Sequence, residues 1–245
     1  MGQYYRIINV DKREVLYSFD FGNGQKLMEW SWNGNPMVRA MLNLMEDEWK
    51  GDRVYVCGDY AEDDSCEPWS DAYRDTLSEI PDGIYSASNT FLHRIPDDKE
   101  LIEFRDDFDN TKEVSVEDFE WRYIYNHDLH CYIDLKHCPL EWAWFGKDEN
   151  GNDDEAAESI FPLSLLLAMG NGRGGGDYRG DNDDLCGSWC DSVQSIEITQ
   201  EKLEDCDYEE YCPDFTEHEL VPYTDYDKFM EAERVKCKAW RYRTL

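Results

Sequence analysis

Cations are scarce in this chain. Lys and Arg together number 24 against 56 Asp and Glu, a formal net charge of −32 over 245 residues. Proteins hold nucleic acid chiefly through cationic contacts to phosphate, so a surface this short of positive charge excludes a direct nucleic-acid partner. The same surface draws basic proteins in at raised association rates. Long apolar runs are missing too. The longest, Ile160 to Met169, is too short to cross a bilayer. The opening residues hold no apolar stretch of signal-peptide type, and Arg6 stands where a myristoylation motif after Gly2 wants Ser or Thr. A soluble, cytoplasmic protein with no membrane partner is expected.

The familiar catalytic and metal signatures are absent as well. There is no G-x-S-x-G, no H-E-x-x-H, no paired C-x-x-C clamp and no calcium-loop spacing. The nine cysteines are odd in number and irregular in spacing, which suits reduced thiols better than a disulfide framework. What remains is rich in large side chains: 41% of the residues are apolar and 14% aromatic, with nine Trp and sixteen Tyr. Disordered acidic chains are poor in aromatics, so this is a globular chain wearing a solvating acidic shell. Its length suits one large domain or two small ones.

Two stretches read as copies of one another. Leu27 to Gly34 parallels Pro139 to Gly146, the helix start at Pro36 parallels that at Pro162, and Trp49 to Val54 parallels Trp189 to Val193. The leading strands correspond loosely as Tyr4–Asp11 with Cys131–Lys136. Chance similarity among Trp-rich acidic segments is the alternative. Asn35 before Pro36 is a helix start, an amide at the N-cap with Pro at the first helical position, and Ser159 is expected to cap the second helix. Arg53 to Cys57 and Val193 to Thr199 have the alternation of half-buried strands. Between the copies, Gly83–Ser86, Phe91–Ile95 and Phe119–Tyr125 are strand candidates. The expected fold is α+β, mainly antiparallel sheet with a few helices, in two pseudo-symmetric modules. The expected boundaries are 1–78 for the first module, 79–125 for a β-rich connector, 126–224 for the second module and 225–245 for a basic C-terminal helix. Between Lys228 and Leu245 six basic residues face only two acidic ones.

The acidic residues cluster in the loops that follow these strands. Candidate partner-binding residues are Asp63 and Asp64, Asp106, Asp107 and Asp109, Asp153 and Asp154, Asp183 and Asp184, and Glu209 and Glu210. The Gly-rich loop Gly170 to Gly180 offers a weaker, anion-binding candidate through Arg173 and Arg179, because glycines let a ligand approach the backbone. It follows a predicted helix, whereas phosphate cradles lie between a strand and a helix, and it lacks the Lys-Ser/Thr pair. His127, His130, Cys131, His137 and Cys138 are of the residue types that bind zinc, but a strand through them would point alternate side chains to opposite faces. No cofactor and no metal is assigned.

The start Met-Gly-Gln-Tyr-Tyr-Arg, the segment Trp49 to Tyr60 (W-x-G-D-R with a closing G-D-Y) and the loop Gly170 to Asp177 (GNGRGGGD) together resemble an uncharacterised family of bacterial and phage proteins. The resemblance covers the first 60 residues and, less closely, 160–192. In that family the Gly-rich loop immediately precedes the W-x-G-D-R strand. Here the first copy lacks the loop, and the second has it before the degraded Gly187 to Ser192. The resemblance carries over no activity and no catalytic residues. It implies a phage or mobile-element setting in a bacterial host cell, where small acidic proteins are often inhibitors. The reading is therefore an acidic interaction protein that occupies the basic nucleic-acid-binding surface of a defence nuclease or CRISPR effector. The alternatives are an immunity protein to a basic toxin, a nucleotide-processing or metal-dependent enzyme built on the Gly-rich loop, and an acidic coat suited to high salt.

Overall fold

The computed structural model describes residues 3–32, 35–61, 70–80, 82–97, 110–116, 122–135, 161–170, 185–204 and 207–211, and the backbone of 145–147 and 153–155. Its frame is two sheets. Strands β1 (Tyr5–Asn9), β2 (Glu14–Leu16), β3 (Val54–Gly58), β4 (Leu92–Pro96), β5 (Thr111–Val114) and β10 (Ala168–Met169) form the first, in the order β10-β3-β1-β2-β4-β5. Strands β6 (Tyr123–Asn126), β7 (Cys131–Asp134), β11 (Ile196–Thr199) and β12 (Glu209–Glu210) form the second, in the order β11-β6-β7-β12. A separate antiparallel pair joins β8 (Phe145–Lys147) to β9 (Asp153–Glu155). The helices are α1 (Pro36–Glu46), α2 (Asp71–Glu79), α3 (Ile84–Ala87) and α4 (Pro162–Leu166), with a 3-10 segment at Cys190–Ser195.

Mixed α and β content was expected and is present. The sheets, however, are mixed rather than mainly antiparallel: β10 on β3, β2 on β4, β4 on β5 and β7 on β12 are all parallel pairs. Parallel neighbours need crossover connections that alternation in a single strand does not reveal. One strand candidate is a helix: Gly83 turns the chain at φ +81° and Ile84–Ala87 coils as α3. Short apolar runs are ambiguous in period, and here the left-handed glycine decides. Strand β3 is buried at every position, not half-buried, and Val193 belongs to the 3-10 segment.

The two sheets share one pairing scheme. The series β3-β1-β2-β4 runs antiparallel, antiparallel, parallel, and so does β11-β6-β7-β12. The correspondence reaches single atoms. Asn9 closes the first hairpin, pairing with Glu14, and accepts from the Lys12 amide at 2.9 Å; Asn126 pairs with Cys131 and accepts from the Leu129 amide at 3.1 Å. Each hairpin then has a non-glycine residue in the left-handed region, Arg13 at φ 54° and His130 at φ 51°. The carbonyl of each accepts from the parallel strand, Leu92 N–H at 2.9 Å in the first sheet and Glu209 N–H at 3.2 Å in the second. In this pairing order β6 holds the position that β1 holds in the first sheet. The stretch from Cys131 is the second strand of its hairpin.

A buried tryptophan precedes β3 in the first sheet and β11 in the second. Trp49 and Trp189 are fully buried, each opening the turn into the third strand. The Asn9 amide donates to Asp52, three residues after Trp49, at 2.8 Å, and Asn126 donates to Ser192, three after Trp189, at 2.7 Å. Helix α1 begins as its sequence directs: Asn35 Oδ1 accepts from Met37 N–H at 2.8 Å ahead of Pro36. Its apolar residues Met37, Val38, Met41, Leu42 and Met45 are all buried, α1 lies against β11, and one apolar cluster joins both sheets. Helix α4 also starts on a proline, but Phe161 holds its N-cap position and makes no side-chain cap; Ser159 lies outside the described residues. The Phe161 amide instead donates to Ser31 O at 2.9 Å.

A buried ion cluster fixes β4 to β2. Arg94, almost wholly buried, donates to both Glu14 oxygens at 2.8 and 2.9 Å and to Glu48 at 2.5 Å. Trp49 Nε1–H also donates to Glu14, at 2.5 Å. Buried charges are tolerable only when paired and hydrogen-bonded in this way.

Candidate functional site

Three sequence motifs far apart in the chain meet at one end of the first sheet. Strand β10 runs parallel to β3, with Ala168 opposite Val56 and Met169 opposite Cys57. Both strands therefore end side by side, β3 at Gly58 and β10 at the entry to the Gly-rich loop, Gly170. The start of the chain closes this end. Tyr4 N–H donates to Asp59 Oδ1 at 2.9 Å, and Asp59 N–H donates back to Tyr4 O at 2.9 Å. Gln3 is fully buried and accepts at Oε1 from the Tyr5 hydroxyl at 3.2 Å.

The glycines are required by this closure. A Cβ on Gly58 would lie 2.1 Å from Gln3 Nε2, and one on Gly170 would lie 2.6 Å from Gln3 Nε2 and 2.7 Å from the Tyr5 hydroxyl. Only hydrogen at both Cα atoms lets the amide and the phenol reach over the two strands. The Gly-rich loop thus leaves the C-terminal end of a strand, not the C-terminus of a helix as the sequence suggested. Helix α4 is only five residues long, and two strand residues intervene before the loop. Carboxyl ends of neighbouring parallel strands are where open α/β sheets bind ligands.

Buried thiols and phenols lie beneath. Cys57 Sγ and the Tyr73 hydroxyl lie 2.8 Å apart. Burial pushes the Cys190 thiol well above its usual range, and burial likewise pushes the Tyr55 phenol up to about 12. Gly187, at φ +69°, passes close to Ala168 O, where a Cβ would come within 2.9 Å. Asp191 reaches from the 3-10 segment to the start of α2, accepting from Ser70 Oγ–H at 2.7 Å and Ala72 N–H at 2.9 Å.

The anionic candidates are distributed more widely. Glu209 and Glu210 form β12, the edge strand of the second sheet. Asp153 and Asp154 lie on β9, opposite Lys147 and Gly146. Asp63, Asp64, Asp106, Asp107, Asp109, Asp183 and Asp184 lie outside the described residues, as do Arg173 and Arg179. Of the His and Cys group, His127 follows β6, His130 sits in the left-handed turn and Cys131 opens β7 with a buried thiol. His137 and Cys138 lie outside the described residues. Among the described residues no group of three His, Cys, Asp or Glu side chains is placed to hold a metal ion, and no helix is long and apolar enough to cross a membrane.

The glycines are legible in the sequence, but Gln3, whose neutral amide carries no motif signal, is not, nor is the cap that Asp191 supplies to Ala72 across 119 residues of chain. Comparison with protein-family models, with curated proteins and with solved structures finds no match for this chain.

Proposed function

We propose that this protein is an acidic interaction protein, a phage or mobile-element inhibitor that occupies the basic nucleic-acid-binding surface of a defence nuclease or CRISPR effector in the bacterial cytoplasm. The observation that carries the reading is the way the scarce cations are used. Lys50, Arg53, Arg94 and Arg122 each pair with a carboxylate at 2.9 Å or less, and Lys12 pairs with Asp52. Arg6 is held between the rings of Tyr17 and Tyr85, 4.5 and 3.9 Å from their centroids. Among the described residues these six cations are engaged by the protein's own carboxylates and rings, which supports a surplus of acids left for a partner. Duplex DNA carries one charge per about 1.7 Å of axis, a density that clustered carboxylates can approach. An immunity protein to a basic toxin would use the same surface.

The two sheets are read as diverged copies of one module. Their common pairing order, matched hairpin asparagines and matched tryptophans support this. Capture of partners from host lysate at low and at molar salt tests the main reading. A basic, nucleic-acid-binding protein should be retained at low salt and released at high salt. Retention indifferent to salt, or capture of acidic proteins only, overturns it.

One observation favours a second reading, an enzyme or binding protein for a nucleotide. Gly170 leads its loop from the carboxyl end of a parallel strand beside Gly58 and Asp59, the setting in which backbone amides cradle phosphate. Replacing both Arg173 and Asp177 should then abolish turnover while leaving thermal unfolding unchanged. A biological effect that persists in the double variant excludes this reading.

A further inference from the structure

Beside β12, the second sheet carries a hydrogen-bonded carboxylate–imidazole–phenol series. Glu197 Oε2 lies 2.9 Å from His127 Nε2, and His127 Nδ1 lies 3.1 Å from the Tyr208 hydroxyl. The other Glu197 oxygen accepts from Lys50 Nζ at 2.5 Å. An ionised carboxylate only accepts, so Nε2–H donates to Glu197; in the tautomer with its one proton on Nε2, Nδ1 is an acceptor to which the phenol can donate. This is the order of a nucleophile, its base and the group that orients the base. His127 is 37% exposed and Tyr208 is half-buried, so the series opens to solvent.

The pairing scheme itself does not call for these residues. The amide of His127 donates to Ser195 O as that of Val10 donates to Arg53 O. Glu197 faces Tyr125 in the register where Tyr55 faces Ile8. Tyr208 immediately precedes Glu209, whose amide meets His130 O, as Phe91 precedes Leu92, whose amide meets Arg13 O. In the first sheet the three positions are therefore Val10, Tyr55 and Phe91, all buried. The first sheet fills these positions with Val10, Phe91 and a Tyr55 whose hydroxyl lies 3.3 Å from Thr76 Oγ1, whereas the second sheet links a carboxylate, an imidazole and a phenol.

We propose that Tyr208 is a nucleophile for activated acyl groups, with His127 as its base and Glu197 as the positioning residue. Tyr208 Oη attacks the carbonyl carbon of an activated ester as its proton passes to His127 Nδ1. The bond from that carbon to the leaving oxygen breaks, the imidazolium returns the proton to the leaving group, and Tyr208 is left O-acylated. The neighbours Asp128, Asp207 and Glu209 are exposed carboxylates, so the acyl donor is neutral or cationic.

The test is acetylation of the intact chain by p-nitrophenyl acetate, a neutral activated ester, read at each tyrosine by peptide mass mapping. Tyr4, which is 44% exposed, is the internal reference. Tyr208 should acetylate about 100-fold faster than Tyr4, the lower range of general-base assistance. His127→Ala should bring the ratio to near one, and added imidazole should restore it, a rescue that a merely structural histidine would not show. Glu197→Gln keeps an acceptor for Nε2–H and should retain most of the ratio, whereas Glu197→Ala should lose it. In the unsubstituted protein alone, a Tyr208 rate no greater than that of Tyr4 overturns the proposal. A ratio unchanged by His127→Ala overturns it equally.

Discussion

Gly58→Ala is the sharpest probe of the junction between the chain start, the third strand and the Gly-rich loop. The new methyl would lie 2.1 Å from Gln3 Nε2, 2.7 Å from its Cδ and 3.0 Å from its Cγ. Gln3 has no exposed surface into which to retreat. Overpacking of this kind costs about 1–3 kcal/mol, and displacing the amide gives up hydrogen bonding worth about 1 kcal/mol. Against that, alanine in a strand gains about 0.5–1 kcal/mol over glycine. The net is a loss of about 1–3 kcal/mol, with roughly 2–4 °C of Tm lost per kcal/mol for a chain of this length. In a Gln3→Ala background the three clashing atoms are gone. The same Gly58→Ala change should there be neutral or stabilising by about 0.5–1 kcal/mol, so its sign reverses. Urea unfolding of the four proteins, followed by tryptophan fluorescence, closes the cycle. Equal destabilisation in both backgrounds would show that Gln3 does not lie over Gly58 and would refute the junction.

Three further outcomes are expected. Trp49→Phe removes the indole donor from buried Glu14 while keeping most of the volume, and should cost about 1–3 kcal/mol in thermal or urea unfolding. The Arg94 hydrogen bond holds the Glu48 carboxyl below its usual 4.5, and the Lys50 hydrogen bond does the same for Glu197. A carboxyl lowered in the folded state contributes stability that is complete above its unfolded pKa and is lost as pH falls through the folded one. Tm should therefore drop as pH is taken below 4.5, and Glu48→Gln should flatten that drop; an unchanged profile refutes the pairing. Burial pushes the Cys131 thiol up to about 11 and the Cys190 thiol well above its usual range, so neither should be alkylated by iodoacetamide near pH 8 until the chain is unfolded, as peptide mapping would show.

Local signals were legible where the cause is local. The Asn35–Pro36 helix start, the strand at Leu92–Pro96 and the Trp-led turns could be read because a cap, an alternation and a large buried ring each act within a few residues. The parallel drawn between Tyr4–Asp11 and Cys131–Lys136 differs from the pairing order, in which β6 takes the place of β1. There the equivalence rests on Asn9 and Asn126, single polar residues defined by hydrogen bonds and not by composition. Gly83–Ser86 looked like a strand because four residues carry no period, and the φ of +81° at Gly83 is a tertiary fact.

The sequence by itself determined the charge and the aromatic content, because those are sums over residues. Only the tertiary structure decided that three motifs at positions 3–5, 58–59 and 170 form one place. Parallel pairing of β10 with β3 brings distant strand ends together, and no local pattern encodes which strands become neighbours. The same holds for Glu197, His127 and Tyr208. Each is an ordinary polar residue in the sequence, and their hydrogen bonds exist only because β6, β11 and the approach to β12 share one sheet.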